Sequence, residues 1–376
     1  EILWWSYTLE LLDPEKGINM HRHGLKNNPL AKMLWNHLAY IYAYLNQKHE
    51  AFNTINKYIN LNPAEPNPYD SKGDLYVWFM QYDSSRIYYQ KSVNLKPDFG
   101  SATKLGYYFL LKDNYEKAGE YFQMSGYKLP MVEIHRGQIK NALKNSTLKK
   151  LNTGYNYERT IHLYYESGQY QEMLKLTKIF SKELNKYPSG VQVIYGRDYL
   201  AWALAKNKRF SEAHNLVNSV QSDVKGTTPG LQACSDYLSA LILFEEEKYE
   251  QALIRFKKVF DVLPPNHEPN IFYSICLLKC GKLSQAVAEF KRLQYWPANS
   301  DIYILKEIPG GMAYWPIQAV KTHYWLGIAH EKQGNQAEAI KEYKKFIDIW
   351  KNADFKSKEI RDAKIRIAKL NGVEFD

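Results

Sequence analysis

A short helical phrase recurs along the chain, and it constrains the fold more than any other feature. The phrase runs from a polar turn with Gly or Asn, through an aromatic or bulky residue, to a small residue; clear copies are Asn114–Ala118, Lys248–Ala252 and Gly334–Ala339. Eight copies end at positions 51, 85, 118, 173, 213, 252, 286 and 339, six of which are Ala. A helical unit this short cannot bury its apolar face alone, so the copies must stack on one another.

Further residues repeat in register with the phrase. They are Trp35, Leu38, Ala39, Tyr42, Ala51 and Pro63, then Tyr69, Gly73, Tyr76, Tyr89 and Pro97, then Leu105, Gly106, Phe109, Ala118 and Phe122, and near the end Leu326, Gly327, Ala339 and Tyr343. Together they resemble the tetratricopeptide repeat, a helix pair of about 34 residues. The resemblance implies an all-α, right-handed superhelical solenoid of about eight or nine antiparallel helix pairs, closed by a C-terminal capping helix.

The intervals between copies divide the chain into segments. A helix at Ile2–Leu12 is expected, followed by a loop from Asp13 to Pro29, and Pro63, Pro97 and Pro264 are expected to end second helices. The predicted segments are 1–30, an N-terminal helix and loop left from an earlier repeat; 31–125, repeats one to three; 126–153, a basic irregular or helical insert; 154–298, repeats four to seven; 299–319, an aromatic loop rich in Pro and Gly; 320–352, repeat eight; and 353–376, the capping helix and tail.

Charge and composition bear on the partners and the compartment. The net charge is +10, which favours acidic partners, and much of it lies between Lys128 and Arg159. No aromatic residue alternates with the central lysines of that segment, so we expect a solvated surface rather than a nucleic-acid site. Three cysteines suit a reducing compartment, which favours the cytoplasm. The start at Glu1 leaves open an upstream domain or an upstream anchor with an extracytoplasmic location.

The sequence holds no recognisable catalytic constellation. It lacks a phosphate-binding loop, a paired-His metal motif and a Gly-x-Ser-x-Gly elbow, so we expect neither an enzyme nor a cofactor. Cys276 and Cys280 lie on adjacent helical turns and supply two of the four ligands a metal would need, so core packing is the favoured interpretation. The polar stretch from His21 to Gly24 is expected to be a solvated loop.

The family's binding surface is a groove lined by the first helix of each unit. Applied here, the register also places Asp70, Asp74, Ile271, Ile275 and Lys321 in the groove, and the two aspartates would repel a terminal carboxylate. Trp202 is expected to be the main anchor and only partly buried. The predicted partner-binding residues are Tyr40, Tyr107, His162, Tyr165, Trp202, Tyr237, Phe244 and Tyr324.

The function that these features predict is a non-enzymatic scaffold that binds a protein or peptide segment in an aromatic groove. One alternative is the regulatory or sensor region of a larger bacterial signalling protein whose catalytic or DNA-binding domain lies outside this chain. That alternative depends on a looser resemblance, to the repeat regions of bacterial kinases, cyclases and transcription regulators. Nucleic-acid binding through the basic segment is the weakest of the three hypotheses.

Overall fold

A computed structural model describes residues 13–128, 130–145, 154–184, 190–227, 229–261, 270–295 and 315–373. These ranges are helical, without a strand, and consecutive helices pack on one another along the chain. The helices are α1 (Pro14–Asn27), α2 (Lys32–Tyr44), α3 (Lys48–Leu61), α4 (Pro66–Trp78), α5 (Tyr82–Leu95), α6 (Gly100–Leu111), α7 (Tyr115–Met124), α8 (Met131–His135), α9 (Ile139–Ala142), α10 (Gly154–Glu166), α11 (Tyr170–Leu184), α12 (Gly190–Lys206), α13 (Phe210–Val224), α14 (Pro229–Glu245), α15 (Tyr249–Asp261), α16 (Ile271–Lys279), α17 (Leu283–Tyr295), α18 (Trp315–Lys332), α19 (Gln336–Ile349) and α20 (Lys358–Leu370).

A left-handed residue at the end of each first helix sets the repeat. At the first of these turns, the Gln47 amide donates to the Tyr42 carbonyl at 2.8 Å and the Asn46 amide to the Ala43 carbonyl at 2.9 Å, which closes the helix end. Each left-handed residue precedes the last residue of its phrase by five positions, so the eight-copy register is confirmed. The eight residues are Asn46, Met80, Asp113, Gly168, Lys208, Glu247, Gly281 and Gly334, with φ between 56° and 79°.

A ninth, shortened helix pair lies in the segment 126–153. Gly137 is left-handed at φ 76° between α8 and α9, and Ala142, five residues later, is fully buried, so the turn and the small residue of the phrase are both present. Residues 146–153 of this segment lie outside the described ranges. The segment predicted as a basic insert therefore contains a repeat unit, and the units number nine within the described residues: unit one is α2 and α3, unit four is α8 and α9, and unit nine is α18 and α19.

Within a unit, the two helices meet where a glycine faces an aromatic ring. A Cβ atom on Gly106 would lie 2.6 Å from Phe122, and one on Gly327 would lie 2.4 Å from Tyr343. Ala118 and Ala252 at the corresponding contacts are fully buried. The expectation that small residues mark the closest helix approach is confirmed.

The C-terminal unit packs against unit four, more than 200 residues earlier in the chain. The Trp350 indole Nε1 donates to the His135 carbonyl at 3.0 Å, and the Asp354 amide donates to the Gly137 carbonyl at 3.2 Å. The Asp354 carboxylate accepts the backbone amides of Lys140 at 2.9 Å and of the next residue at 2.8 Å. We name these contacts between 135–141 and 350–354 the clasp. Through the clasp, unit nine contacts unit four, so units four to nine form a closed arrangement.

Two boundaries differ from the prediction. The segment from Pro14 to Asn27 is helix α1 rather than a loop, and its His21 is buried, because Asp13 caps the helix and Pro14 suits its first position. Helix α18 begins at Trp315, inside the predicted loop 299–319, since a proline at the second helical position needs no donor. The expected helix Ile2–Leu12 and residues 299–314 lie outside the described ranges.

Two second helices end as their prolines predict. Helix α3 ends at Leu61, two residues before Pro63, and α5 ends at Leu95, two residues before Pro97. Pro264 lies outside the described residues. Within the described ranges, none of the helices combines the length and the apolar character needed to cross a bilayer.

Two glycines of unit three make a matched test of the helix contact. A Cβ on Gly106 would overlap Phe122, so Gly106→Ala should lower the free energy of unfolding by about 1 to 3 kcal/mol although alanine is the better helix former. Gly119 in α7 has no atom within 4 Å of an added Cβ, and Gly119→Ala should raise stability by about 0.5 to 1 kcal/mol. Thermal unfolding of both variants measures the difference. Shifts of the same sign would contradict the assigned contact.

Candidate functional site

An open cavity of about 760 Å³ lies among the first helices of units five to nine. Helices α10, α12, α14, α16 and α18 contribute most of its walls, and α20 with residues 355–357 forms one side. Ile271, Ile275 and Lys321, which the register placed in the groove, all line it. We call it the central cavity. The first helices therefore share one recess, and the capping helix borders it.

Four of the eight predicted groove residues meet in the central cavity: His162, Tyr165, Phe244 and Tyr324. Tyr165 and Phe244 are half-buried, so part of each ring faces the open space. Phe272, which the register missed, joins them, with its ring centroid 5.0 Å from Phe244 and 6.3 Å from Tyr165. Tyr165, Phe244 and Phe272 form an aromatic wall.

Trp202 lies beneath this wall instead of in the cavity. Its side chain is fully buried, with ring centroids 4.6 Å from Tyr165 and 4.7 Å from His162, and its Nε1 donates to Glu245 Oε1 at 3.1 Å. The expectation of a partly exposed Trp202 is wrong, because the two rings from α10 cover it. Burial also lowers the pKa of His162 well below its usual value, so this ring is neutral and packs as an aromatic.

Glu245 connects the wall to a charged pair. Its carboxylate accepts from Lys206 Nζ at 3.0 Å, and the Tyr165 hydroxyl lies 3.4 Å from its Oε1. Burial, together with this carboxylate, raises the pKa of Tyr165 well above its usual value. The tyrosine keeps its proton, and the aromatic wall presents no phenolate charge to a ligand.

A second ion cluster ties three helices together at the side of the cavity. Lys321 Nζ of α18 lies 2.9 Å from Glu166 Oε2 of α10 and 3.2 Å from Glu359 Oε1 of α20. Burial alone would lower the pKa of Lys321, but the two carboxylates outweigh it and raise the pKa. Burial would raise the pKa of Glu359, yet Lys321 and nearby hydrogen bonds bring it down to about 2. Lys321 and Glu359 are therefore both charged at neutral pH.

Four further lysines at the cavity have no acidic partner within the described part of the chain: Lys208, Lys279, Lys356 and Lys358. The ammonium groups of Lys208 and Lys279 lie over the rings of neighbouring aromatic residues, at 5.6 Å in each case. Of the acidic residues that line the cavity, Glu247 is the one left to offset these four lysines. The other lining carboxylates already pair with Lys206, Lys321 or Arg366. The cavity thus carries an excess of positive charge at its edge.

Tyr40 belongs to a buried network in the N-terminal units. Its hydroxyl donates to Asp74 at 2.7 Å, and Lys104 Nζ lies 2.7 Å from both Asp70 and Asp74. The two aspartates, expected to face the groove and repel a carboxylate, are buried instead, where Lys104 pairs with both and hydroxyl groups donate to them. Burial removes both carboxylates from the surface that a ligand would contact.

The other two predicted groove tyrosines are also buried. Tyr107 lies 3.3 Å from the Tyr127 hydroxyl and borders a smaller recess of about 320 Å³ beside α4 and α6. The Tyr237 hydroxyl accepts from the Asn270 side-chain amide at 2.6 Å. Neither tyrosine lines the central cavity.

Cys276 and the possible metal ligands of the described ranges bear on whether the chain could hold a reactive thiol or a metal. Cys276 is fully buried, and burial raises the pKa of its thiol well above the usual value, which disfavours the reactive thiolate. No cluster of three His, Cys, Asp or Glu residues suited to a metal occurs among the described residues. Cys276 packs in the core, as its sequence context predicted.

Comparison with protein families agrees with this architecture. Residues 34–65, in unit one, match a model of the tetratricopeptide repeat, and residues 322–353, in unit nine, match a second model of the same repeat. Units one and nine are therefore similar to the tetratricopeptide repeat. These repeats place the chain in the class of protein-interaction scaffolds, which are generally non-catalytic. No curated protein matches the sequence.

Two solved structures align with most of this chain at low sequence identity. A chain from the crystal structure of the APC/C hetero-tetramer Cut9-Hcn1 is 10% identical, with a TM-score of 0.38; the alignment covers 95% of this chain and 52% of that one. The P58(IPK) TPR domain is 12% identical, with a TM-score of 0.27, and the alignment covers 96% of this chain and 94% of that domain. The chain therefore spans about half the length of the first of these proteins.

Glu359 gives the last tetratricopeptide repeat an acid-sensitive contribution to stability. Its pKa of about 2 lies below the ordinary 4.5, so the contribution is complete above about pH 4.5 and is lost as the pH falls towards 2. Glu359→Gln should be less stable than wild type by about 1 to 3 kcal/mol at neutral pH, and its stability should fall less steeply in acid. Urea unfolding across this range measures both quantities.

Glu338→Gln is the matched control, because Glu338 forms an exposed pair with Lys341 on the neighbouring helix α19. This control should retain the wild-type slope. A Glu359→Gln variant with an equally steep acid loss would show that the Lys321 cluster does not hold α20 in place.

Proposed function

We propose that the chain binds an acidic segment of a partner protein in the central cavity, with an apolar side chain of that segment against the aromatic wall. The observation that carries this proposal is the coincidence, in one recess, of half-buried rings with lysines that lack acidic partners. The cavity volume lies within the range of about 300 to 1,000 Å³ that is usual for ligand sites.

The aromatic wall supports the apolar part of the proposal. Tyr165 and Phe244 are rigid rings from two different first helices, held by Phe272 and by the buried Trp202 behind them. A preformed aromatic surface loses little entropy when a ligand docks on it, and such rings are the usual anchors of an interface.

The charges support the acidic part. Lys206 and Lys321 are committed to carboxylates of the chain itself, so a ligand would gain little from them. Lys279 is exposed, lies at the end of α16 beside the cavity, and is free to pair with a carboxylate of the ligand. A basic segment would instead meet several uncompensated ammonium groups, and repulsion of like charges would exclude it.

Selection of a displayed library of dodecapeptides on the purified chain tests the proposal. We expect enrichment of peptides with several Asp or Glu residues around one large apolar residue. Lys279→Glu should weaken binding of the best selected peptide by about tenfold, which corresponds to about 1.4 kcal/mol, without a change in thermal midpoint. Isothermal titration of wild type and variant measures the effect.

Lys282→Glu supplies the control. Lys282 is equally exposed and three residues away, but does not line the cavity, so this charge reversal should leave peptide affinity near the wild-type value. A library without enriched peptides, or peptides that bind Lys279→Glu as tightly as wild type, would rule out the cavity as the binding site.

A further inference from the structure

The capping helix α20 presents an exposed basic face to solvent. Lys358, Arg361, Ile365 and Lys369 follow one another at spacings of three, four and four residues, which places them on one side of the helix. All four side chains are exposed. This side of α20 therefore combines three cations with one apolar residue, and we name it the basic track.

The acidic residues of α20 do not offset this charge. Glu359 pairs with Lys321, and Asp362 accepts from Arg366 at 2.6 Å and from the Tyr324 hydroxyl at 2.7 Å. Both carboxylates are thus engaged by neighbouring groups. The three cations of the basic track form no ion pair within the described part of the chain.

Lys358 connects the basic track to the central cavity. It lines the cavity together with Lys356, and it is also the first residue of the track. We propose that the basic track carries the acidic partner segment out of the central cavity and along α20, so that the binding surface extends beyond the recess. This inference rests on the proposed function, and it adds a path and a length for the bound segment.

The length of the track sets the length of the added contact. From Lys358 to Lys369 the helix rises by about 16 Å, at about 1.5 Å per residue. An extended peptide covers about 3.3 Å per residue, so about five residues would span the track. Exposed ion pairs are weak one by one, so three of them together should give about a tenfold gain in affinity.

Three fluorescein-labelled peptides test this path. One is an octapeptide of alternating Glu and Leu, and the other two carry five additional Glu residues at the amino or at the carboxyl end. We expect all three to bind, and one of the extended peptides to bind about tenfold more tightly than the octapeptide at about 0.1 M salt. Which end gains would assign the direction of the bound segment.

Charge-reversal variants distinguish binding along the basic track from nonspecific attraction of an acidic peptide to a positively charged protein. Arg361→Glu with Lys369→Glu should abolish the gain from extension and leave octapeptide affinity unchanged. The control variant is Lys26→Glu with Lys96→Glu, at two exposed lysines in the N-terminal part of the chain. It changes the net charge by the same amount and should keep the gain in affinity from extension. Fluorescence anisotropy measures all the affinities.

The outcomes distinguish this inference from the proposed function. No gain from either extension, or a gain that survives the double reversal on α20, would overturn the track while octapeptide binding still supported the cavity. Failure of all three peptides to bind the wild-type chain would overturn the proposed function, and the track with it.

Discussion

The clasp is the contact on which the shape of the site depends. Gly137 fits there because a Cβ atom would lie 2.9 Å from the Ala353 Cβ and 3.3 Å from the Trp350 ring, and because its φ of 76° is one that side chains rarely tolerate. Because glycine has no Cβ atom, the last unit can pack closely against unit four. Helix α20 follows directly from residues 350–354, so the clasp also places the helix that borders the central cavity.

The ion cluster at Lys321 strengthens the same closure at a second point. Glu166 lies 155 residues before Lys321, yet the Lys321 ammonium group bridges Glu166 and Glu359 beside the cavity. A buried ion pair contributes little net stability, since desolvation offsets most of the attraction, but it is sensitive to geometry and so favours one arrangement of the three helices over others. One apolar core runs from Tyr107 to Ala363, and it joins the same units that the clasp closes.

The repeat register was predictable because it is local. A left-handed residue and a small residue five positions later need no knowledge of the rest of the chain. Seven of the eight copies follow that rule, and the fourth has Met173 at the second position. Unit four escaped notice although Gly137 and Ala142 follow it too, because α8 and α9 have only five and four residues and so lack the aromatic positions of a full unit. Only the turn and the small residue marked this unit in the sequence.

The site was harder to predict than the fold. The register found the correct helices, but burial of each ring depends on what neighbouring units place over it: Trp202 is covered by His162 and Tyr165, whereas Phe244 stays open. Charge pairing could not be predicted for the same reason, since Lys321 pairs with a glutamate four units away. The acidic pair Asp70 and Asp74 looks like an exposed charge in the sequence, but the structure buries it and pairs both carboxylates with Lys104 on a separate helix.

Amide hydrogen exchange at α9 tests the closed arrangement most directly. The Lys140 and Asn141 amides lie in the first turn of a four-residue helix, where an amide has no acceptor within the helix, and the Asp354 carboxylate supplies the acceptor for both. We expect both amides to be protected in the wild-type chain, and Asp354→Ala to remove that protection while the amides of α6 keep theirs. Free exchange of both amides in the wild-type chain would contradict the clasp, and with it the enclosure of the central cavity.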